Sequence, residues 1–531
     1  MNSTLSLAVL LAVLVVGQLV SRKVRAPVPV ILAILGACVS WVPWLSREPL
    51  DPDLILFLVL PPLLYAEAFE ASWTDFRRWL RPILMLAVGL VLFTTVVVGV
   101  VVHAVLPQMP WPVCFILGAI VSPTDTVAVQ AIIERLHVPR RVTAILGGES
   151  LVNDATGLLG VQLGVAVLLS GAFQAKAVVF QFAWIAAGGV AIGIAAGLLF
   201  ALINRIVRDV SALFVLSIVS PYTAFLVAHQ LGTSGVLAVV VAGFVVSWRV
   251  HTIPAVARVE LYSTWNMLVF VLNGACFVVI GLVAPRLYLE TKIAAGPEVF
   301  LAAMLVAAAV IAARIVWVLP MAYVPLFFSR AFRQREGGYP PWKGVTLASW
   351  CGLRGVISLA AALSLPRLIH EAPFPARDAV VACTVIVILV TLVVQGLTLE
   401  PLVRLLGIPS DEDSAAEVLQ ARETVLAAGI ARLDEYCSET SCPISVHHWR
   451  EAMADELAIL REEDEEQRRL AKTRVEVSKE VRREVARAEE AALLELRDSG
   501  VINDKTYLDL QLDLDRQNME GMPVRGGEPA G

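Results

Sequence analysis

The sequence predicts an all-α polytopic membrane protein, with 13 transmembrane helices in inverted repeats, two of them interrupted crossing helices (spans 5 and 12), and a helical cytoplasmic tail. Three observations predict this class. The 531 residues are 57% hydrophobic and only 17% charged, with a mean hydropathy of +0.74, which excludes an ordinary soluble domain. Apolar stretches long enough to cross a bilayer recur until about residue 406 and then cease. Lysine and arginine are divided unequally between the loops that alternate along the chain.

Hydropathy places the spans at about 4–20, 28–45, 53–69, 83–106, 112–136, 142–170, 176–203, 210–231, 234–248, 260–283, 298–325, 343–366 and 378–406. The first apolar stretch precedes Arg22, Lys23 and Arg25, the reverse of a cleavable signal, so it reads as a retained helix with its N-terminus outside. Loops on the side of the C-terminus carry 17 Lys and Arg and the opposite loops carry 6, which puts the tail in the cytoplasm of a cell bounded by its plasma (inner) membrane.

Two spans contain residues that a continuous helix avoids. The fifth includes Ser122-Pro-Thr-Asp-Thr126, where proline and competing hydroxyls free backbone carbonyls in mid-membrane. The twelfth includes Trp350-Cys-Gly-Leu-Arg-Gly355, a buried arginine between two glycines. If spans 1–6 and 8–13 are inverted repeats, each interruption falls on the fifth helix of its set, the pattern of a transporter binding site at the midplane.

The sixth span carries Gly147-Gly-Glu-Ser-Leu-Val-Asn-Asp-Ala-Thr-Gly157. Ionisable groups at that depth are costly and mark function. At 100° per residue Ser150 stacks on Asp154, and Glu149 on Asn153. Asp154, reached by water, is a carboxylate that binds H⁺ or a small hard cation but not both, and competition for one site suffices to couple two opposite fluxes. The plainer alternative is a structural carboxylate. Asp125, the Thr124 carbonyl and hydroxyl and the Ser150 hydroxyl complete an oxygen set suited to Na⁺, although Asp125 also reads as a cap for the restarted half-helix. Arg354 needs a counter-ion, and Glu149 is the expected partner; Arg314 has the same need, so which arginine serves which carboxylate stays open. Glu67 and Glu70 read equally as an inner funnel or as a solvated helix end.

From about Pro409 the composition is that of a soluble tail, with a long amphipathic helix expected over 461–490 that braces a dimer. The first five of seven cysteines lie in or beside apolar segments and argue against a disulfide framework; Cys437 and Cys442 with His447 and His448 have the ingredients of a zinc site at unconvincing spacing. No phosphate-cradling loop or nucleophile elbow is present, so neither ATP-driven pumping nor hydrolytic enzyme chemistry has a local engine. No cofactor and no nucleic-acid partner is expected.

Taken with Leu60-Pro-Pro-Leu-Leu64, these motifs resemble the monovalent cation/proton antiporter family, in the branch of the sodium/proton exchangers and near its bacterial members. The resemblance runs over about residues 1–406, and Gly500-Val-Ile-Asn-Asp-Lys-Thr-Tyr507 extends it weakly into the tail. It implies a homodimer with a dimerisation domain and a six-helix core that carries the ion across. It also implies that Asp154, Asp125, Ser150, Thr124 and Glu149 surround the cation, while Arg314 and Arg354 stabilise the crossed helices. The pair Asn153-Asp154 is the type that goes with electroneutral exchange of one cation for one proton. The resulting expectation is a transmembrane domain, 1–408, that exchanges Na⁺, or Li⁺ or K⁺, for H⁺ in pH homeostasis, with a cytoplasmic domain, 409–531, whose end is disordered. A tail-regulated cation channel and an intramembrane aspartyl hydrolase using Asp125 and Asp154 are the competing readings.

Overall fold

The computed structural model describes residues 2–21, 27–42, 52–125, 138–171, 175–294, 296–369, 372–408, 412–439, 444–461 and 484–496, with isolated positions between and beyond them. It divides into two compact units, Met1–Asp411 and Glu412–Gly531. The first is almost entirely helical. Its elements are α1 (Asn2–Ser21), α2 (Val28–Val39), α3 (Pro52–Glu70), α4 (Trp73–Arg78), α5 (Leu80–Val105), α6 (Trp111–Val121), α7 (Arg140–Ser170), α8 (Ala175–Ile206), α9 (Val210–Gln230), α10 (Gly235–Trp248), α11 (Ala255–Ala294), α12 (Gly296–Phe328), α13 (Arg330–Arg335), α14 (Trp342–Trp350), α15 (Val356–Leu363) and α16 (Arg377–Leu406). A two-residue hairpin, β1 (Leu368–Ile369) with β2 (Ala372–Pro373), precedes α16. Among the described residues seven helices are long and apolar enough to cross a membrane, and four more are shorter and apolar.

Two sets of helix contacts can be followed, and a shared core that includes Leu14, Leu32, Phe277, Leu347, Ile388 and Leu392 joins them. In the first, α8 lies against α9 and α10, α10 against α3, and α2 between α1 and α11. Glycines set these crossings. Gly189, Gly193 and Gly197, one turn apart on α8, lie against the Ser234 and Ala238 carbonyls and Val245 of α10, and Gly36 and Gly281 meet backbone where α2 crosses α11. Small residues let helix backbones approach where lipid gives no hydrophobic drive to associate. In the second, α5, α6, α7, α12, α15 and α16 enclose a core that includes Val98, Ile116, Leu117, Val306, Val310, Ala362 and Val387, and α14 packs against α12.

Local departures from helix are answered by neighbours. Pro62 inside α3 cannot donate to the Leu58 carbonyl, and the Tyr222 hydroxyl donates to it at 2.7 Å. Residues Met85–Leu90 of α5 form a π-helical turn, where the Trp317 indole donates to the Met85 carbonyl at 2.9 Å. Neither the π turn nor the short α4, capped by Ser72, was anticipated by hydropathy.

The expected fifth and twelfth spans are not continuous helices. α6 stops at Val121, Ser122–Asp125 are non-helical, and residues 126–128 lie outside the described residues. α14 and α15 are separated by the non-helical Cys351–Gly355. In the second unit, α17 (Glu412–Glu439) and α18 (Ile444–Arg461) form a helical hairpin tied by Arg422–Glu456, Arg461–Glu423 and Arg450–Asp434 ion pairs. The Arg450 guanidinium hydrogen-bonded to Asp434 holds that carboxyl below the usual carboxylate range. Most of the helix expected over 461–490, including Glu465, Val477 and Val481, lies outside the described residues. Cys437, for which the sequence offers only a zinc site at unconvincing spacing, is disulfide-bonded, and among the described residues no cluster of three His, Cys, Asp or Glu is placed to hold a metal. Cys38, Cys114, Cys276, Cys351 and Cys383 are free. His103 bonds the Met109 carbonyl and stacks on Trp111, a structural role.

Candidate ion-binding site

The two interruptions meet. The Asp125 amide donates to the Leu353 carbonyl at 2.8 Å, so the break after α6 is stitched directly to the break between α14 and α15. The Arg354 guanidinium donates from Nε to the Val121 carbonyl (2.6 Å) and from Nη1 to the Gly352 carbonyl (2.7 Å), while its own amide donates to the Thr391 hydroxyl. Carbonyls at the C-terminal end of a helix have no partner of their own and form the negative end of its dipole, so an arginine is suited to hold them. Arg314, from α12, does the same for the other broken helix, donating from Nε to the Ala348 carbonyl near the end of α14. Each interrupted helix therefore ends against one buried arginine.

The carboxylate partner is not the expected one. Glu149 is bound by Arg314 in a two-pronged pair, Nη1 to Oε1 at 2.5 Å and Nη2 to Oε2 at 2.8 Å, with both side chains 1% exposed. The pairing of Glu149 with Arg354 is thus corrected. Arg354 is held by carbonyls instead, because unwinding α6 and α14 supplied acceptors that a helical wheel does not contain. A planar guanidinium and a carboxylate match as a fork, and the geometry fixes Glu149 in place.

Thr124 joins the sixth-span motif to the first break. Its hydroxyl donates to Glu149 Oε1 (3.2 Å) and accepts from Asn153 Nδ2 (2.8 Å), and its carbonyl accepts from the Ser150 hydroxyl (3.3 Å). Glu149, Ser150, Asn153 and Asp154 are all buried on α7. Small residues permit this approach: a Cβ on Gly157 would collide with Pro123. Gly355 carries a similar constraint, since a Cβ there would fall on the Asp125 carboxylate. That carboxylate consequently lies at the N-terminal end of α15, where free amides favour negative charge.

Asp154 is 2% exposed, and among the described residues no cation pairs with it. It lines a cavity of about 30 Å³ together with Asp125, Thr124 and Ser150. That is room for a water or a small ion, since about 10–15 Å³ of such space accommodates one water. The same cavity is lined by three further polar side chains, Glu67 of α3, Asn273 of α11 and Ser358 of α15, the last two outside the set named from sequence. The sequence leaves Glu67 evenly between an inner funnel and a solvated helix end, and the structure puts it at the cavity. Asn273 was signalled only by being an amide in an apolar span, and Ser358 by nothing but its proximity to Gly355. Asn153 lies behind this group; its amide nitrogen holds Thr124, and its Oδ1 has no hydrogen-bond partner among the described residues.

Hard oxygen donors, a carboxylate with no salt-bridge partner among the described residues and two helix breaks form a donor set of the kind that a hard monovalent cation takes. Comparison with known proteins bears on the same region. The model of the sodium/hydrogen exchanger transmembrane family matches residues 9–405. An uncharacterised Na⁺/H⁺ exchanger of Mycobacterium tuberculosis is 32% identical over 96% of this chain and 95% of its own length. A sodium, potassium, lithium and rubidium/H⁺ antiporter of Bacillus pumilus is 31% identical over 84% of this chain and 68% of its own. The solved structure of the sodium proton antiporter MjNhaP1 of Methanocaldococcus jannaschii superposes with a TM-score of 0.59 at 20% identity, covering 77% of this chain and all of that one.

Proposed function

Since the chain belongs to the sodium/hydrogen exchanger family, a family of transporters and not of enzymes, we propose that it exchanges Na⁺ for H⁺ across the plasma membrane, one for one, with both ions competing for Asp154. The observation that carries this reading is the contrast between Glu149, tied to Arg314, and Asp154, which lines the cavity with no cation partner among the described residues. In this mechanism Asp154 gives up its proton and takes Na⁺ in the company of Asp125, Ser150 and Thr124. Hydroxyls that donate to protein carbonyls keep lone pairs for the cation, as Ser150 does. Asp125 stays charged at the amino end of α15, so one titrating carboxylate carries one charge of either kind and the cycle is electroneutral. Glu67 adds negative potential at the same cavity and raises the local cation concentration.

Access alternates as the group α5, α6, α7, α12, α14–α15 and α16 moves against the remaining helices, within a 13-span bundle whose C-terminal unit faces the cytoplasm and whose subunits pair as a dimer. Neutralising Asp154 with either ion lowers the cost of carrying it past apolar helices. A bare carboxylate is held back, which prevents a leak.

K⁺ in place of Na⁺ is the second reading. It is favoured by the names of the Bacillus relatives, which include potassium, lithium and rubidium. The test is exchange in proteoliposomes with an internal pH probe, with Na⁺, Li⁺ and K⁺ offered separately. Saturable Na⁺-driven proton efflux is expected, with an apparent KM for Na⁺ that rises as pH falls, because protons and Na⁺ compete. A rate independent of membrane potential is expected for one-for-one exchange. Normal exchange in Asp154→Asn would overturn the assignment of the site.

A further inference from the structure

A groove of about 370 Å³ opens between α12, α14 and α16, separate from the ion cavity. Its walls are Ile315 and Leu319 of α12 and Leu402 and Leu405 of α16, and Trp350 of α14 also lines it. The few polar atoms that line it are already engaged. Thr346 donates to the Trp342 carbonyl, Ser349 to the Val345 carbonyl, and Thr398 donates to the Val394 carbonyl while accepting from the Trp350 indole. The groove therefore offers an apolar ligand contact area and offers a polar one no partners.

Its rim has the opposite character. Lys343, one turn before Thr346 on the same stripe of α14, donates to the Gly407 carbonyl at 2.9 Å and keeps two ammonium protons in hand. Arg404, next to Leu405, is 57% exposed and answered by one carboxylate, Glu400. The amino end of α14 has no side-chain cap, and Trp342 beside it is 63% exposed, as interfacial tryptophans are. Two cations, one anion and a set of free amides thus border an apolar slot.

We infer that this groove binds one acyl chain of an anionic phospholipid, whose phosphate is held at Lys343 and the amino end of α14. Its size supports a chain over a protein segment: an α-helix about 10 Å across rises 5.4 Å per turn, so the groove takes less than one turn. The charge on the rim selects the headgroup. Ile315 follows Arg314, and Ser349 follows Ala348, whose carbonyl Arg314 holds. A chain in the groove therefore packs against the back of the Arg314–Glu149 clamp and steadies it, which makes lipid composition a regulator of exchange.

The test uses the full chain in nanodiscs of neutral phosphatidylcholine doped with brominated phosphatidylglycerol or with brominated phosphatidylcholine. Emission of Trp350 is taken as the difference from Trp350→Phe. Brominated phosphatidylglycerol is expected to quench it about fivefold more effectively, the factor that one basic residue contributes near a headgroup, and Lys343→Gln with Arg404→Gln removes that preference. Native mass spectrometry of the unsubstituted protein, expected to retain phosphatidylglycerol over phosphatidylcholine, covers the case in which Trp350→Phe folds poorly. Equal quenching by the two lipids, as for ordinary bilayer contact, overturns the inference. So does absence of quenching, as when a second copy covers the groove. Because lipid occupancy is read without transport, failure here leaves the exchange proposal standing, and failure of exchange leaves the groove standing.

Discussion

Glu149 and Asp154 stand five residues apart on α7, both carboxylates, both buried to within two per cent of completely, and the fold uses them in opposite ways. Around Glu149 the structure is closed. Two nitrogens of Arg314 and the Thr124 hydroxyl are directed at its oxygens, and the arginine is itself braced by the Ala348 carbonyl. Asp154 instead borders a small cavity, and among the described residues no arginine or lysine pairs with it. A carboxylate whose charge is balanced by protein cannot exchange its counter-ion, while one left unbalanced has to recruit it from solution. On the proposed reading, what separates the structural acid from the transporting one is the presence of a fixed cation, and burial does not separate them.

The comparison can be broken most directly by exchanging the losses. Asp154→Asn is expected to lower Na⁺/H⁺ exchange at least about 100-fold, a change of roughly 2.7 kcal/mol or more in the coupled step at 1.36 kcal/mol per decade, without lowering the melting temperature in detergent. Parallel assays of exchange and thermal unfolding check both halves. Arg314→Ala is expected to do the reverse kind of damage, costing about 3–5 kcal/mol of stability because Glu149 is left buried and uncompensated. Glu149→Leu combined with Arg314→Met should recover most of the lost stability, measured by the same melt, and a double variant as unstable as Arg314→Ala would show that the pair is not the reason.

Gly355→Ala sharpens the contrast from the cavity side. Its methyl group displaces the Asp125 carboxylate, so the apparent KM for Na⁺ should rise about tenfold, equivalent to one decade at 1.36 kcal/mol, with the protein still folded. Asp434 and Arg450 give the smallest expected effect, since the same pair of charges lies in water. Arg450→Ala should leave melting of the protein unchanged within error at neutral pH. Because the Asp434 carboxyl is held below its usual range, any contribution of this pair is present above the ordinary aspartate value and is lost only as pH falls through the lowered one. Hydrogen exchange of α17 and α18 as a function of pH reads that loss.

Much of this was legible from residue order. Ser122-Pro-Thr-Asp125 and Cys351-Gly-Leu-Arg-Gly355 announce breaks because proline and glycine act on the backbone they belong to. Four oxygen-bearing residues in an apolar run announce a site for a similar local reason. The partner of Glu149 was not legible, since Arg314 and Arg354 carry the same charge in equally apolar surroundings, and the carbonyls that satisfy Arg354 exist only because α6 and α14 unwind. Glu67 was not legible either: near the end of α3, a carboxylate has the same sequence neighbourhood whether it meets bulk water or a cavity. The hairpin of α17 and α18 depends on which of many charges pair across two helices, which composition does not specify.

Composition and short-range chemistry by themselves determined that the chain is helical, that it belongs in lipid, where its helices are interrupted and which residues offer oxygen to a cation, because hydropathy, proline and glycine effects and helical stacking act within a turn or a span. Only the tertiary structure decided which acid is neutralised by an arginine and which is left facing a cavity. Coulomb attraction and hydrogen bonding act between atoms a few ångströms apart in space, and a separation of 165 positions along the chain from Glu149 to Arg314 contains no record of that distance until the helices have crossed.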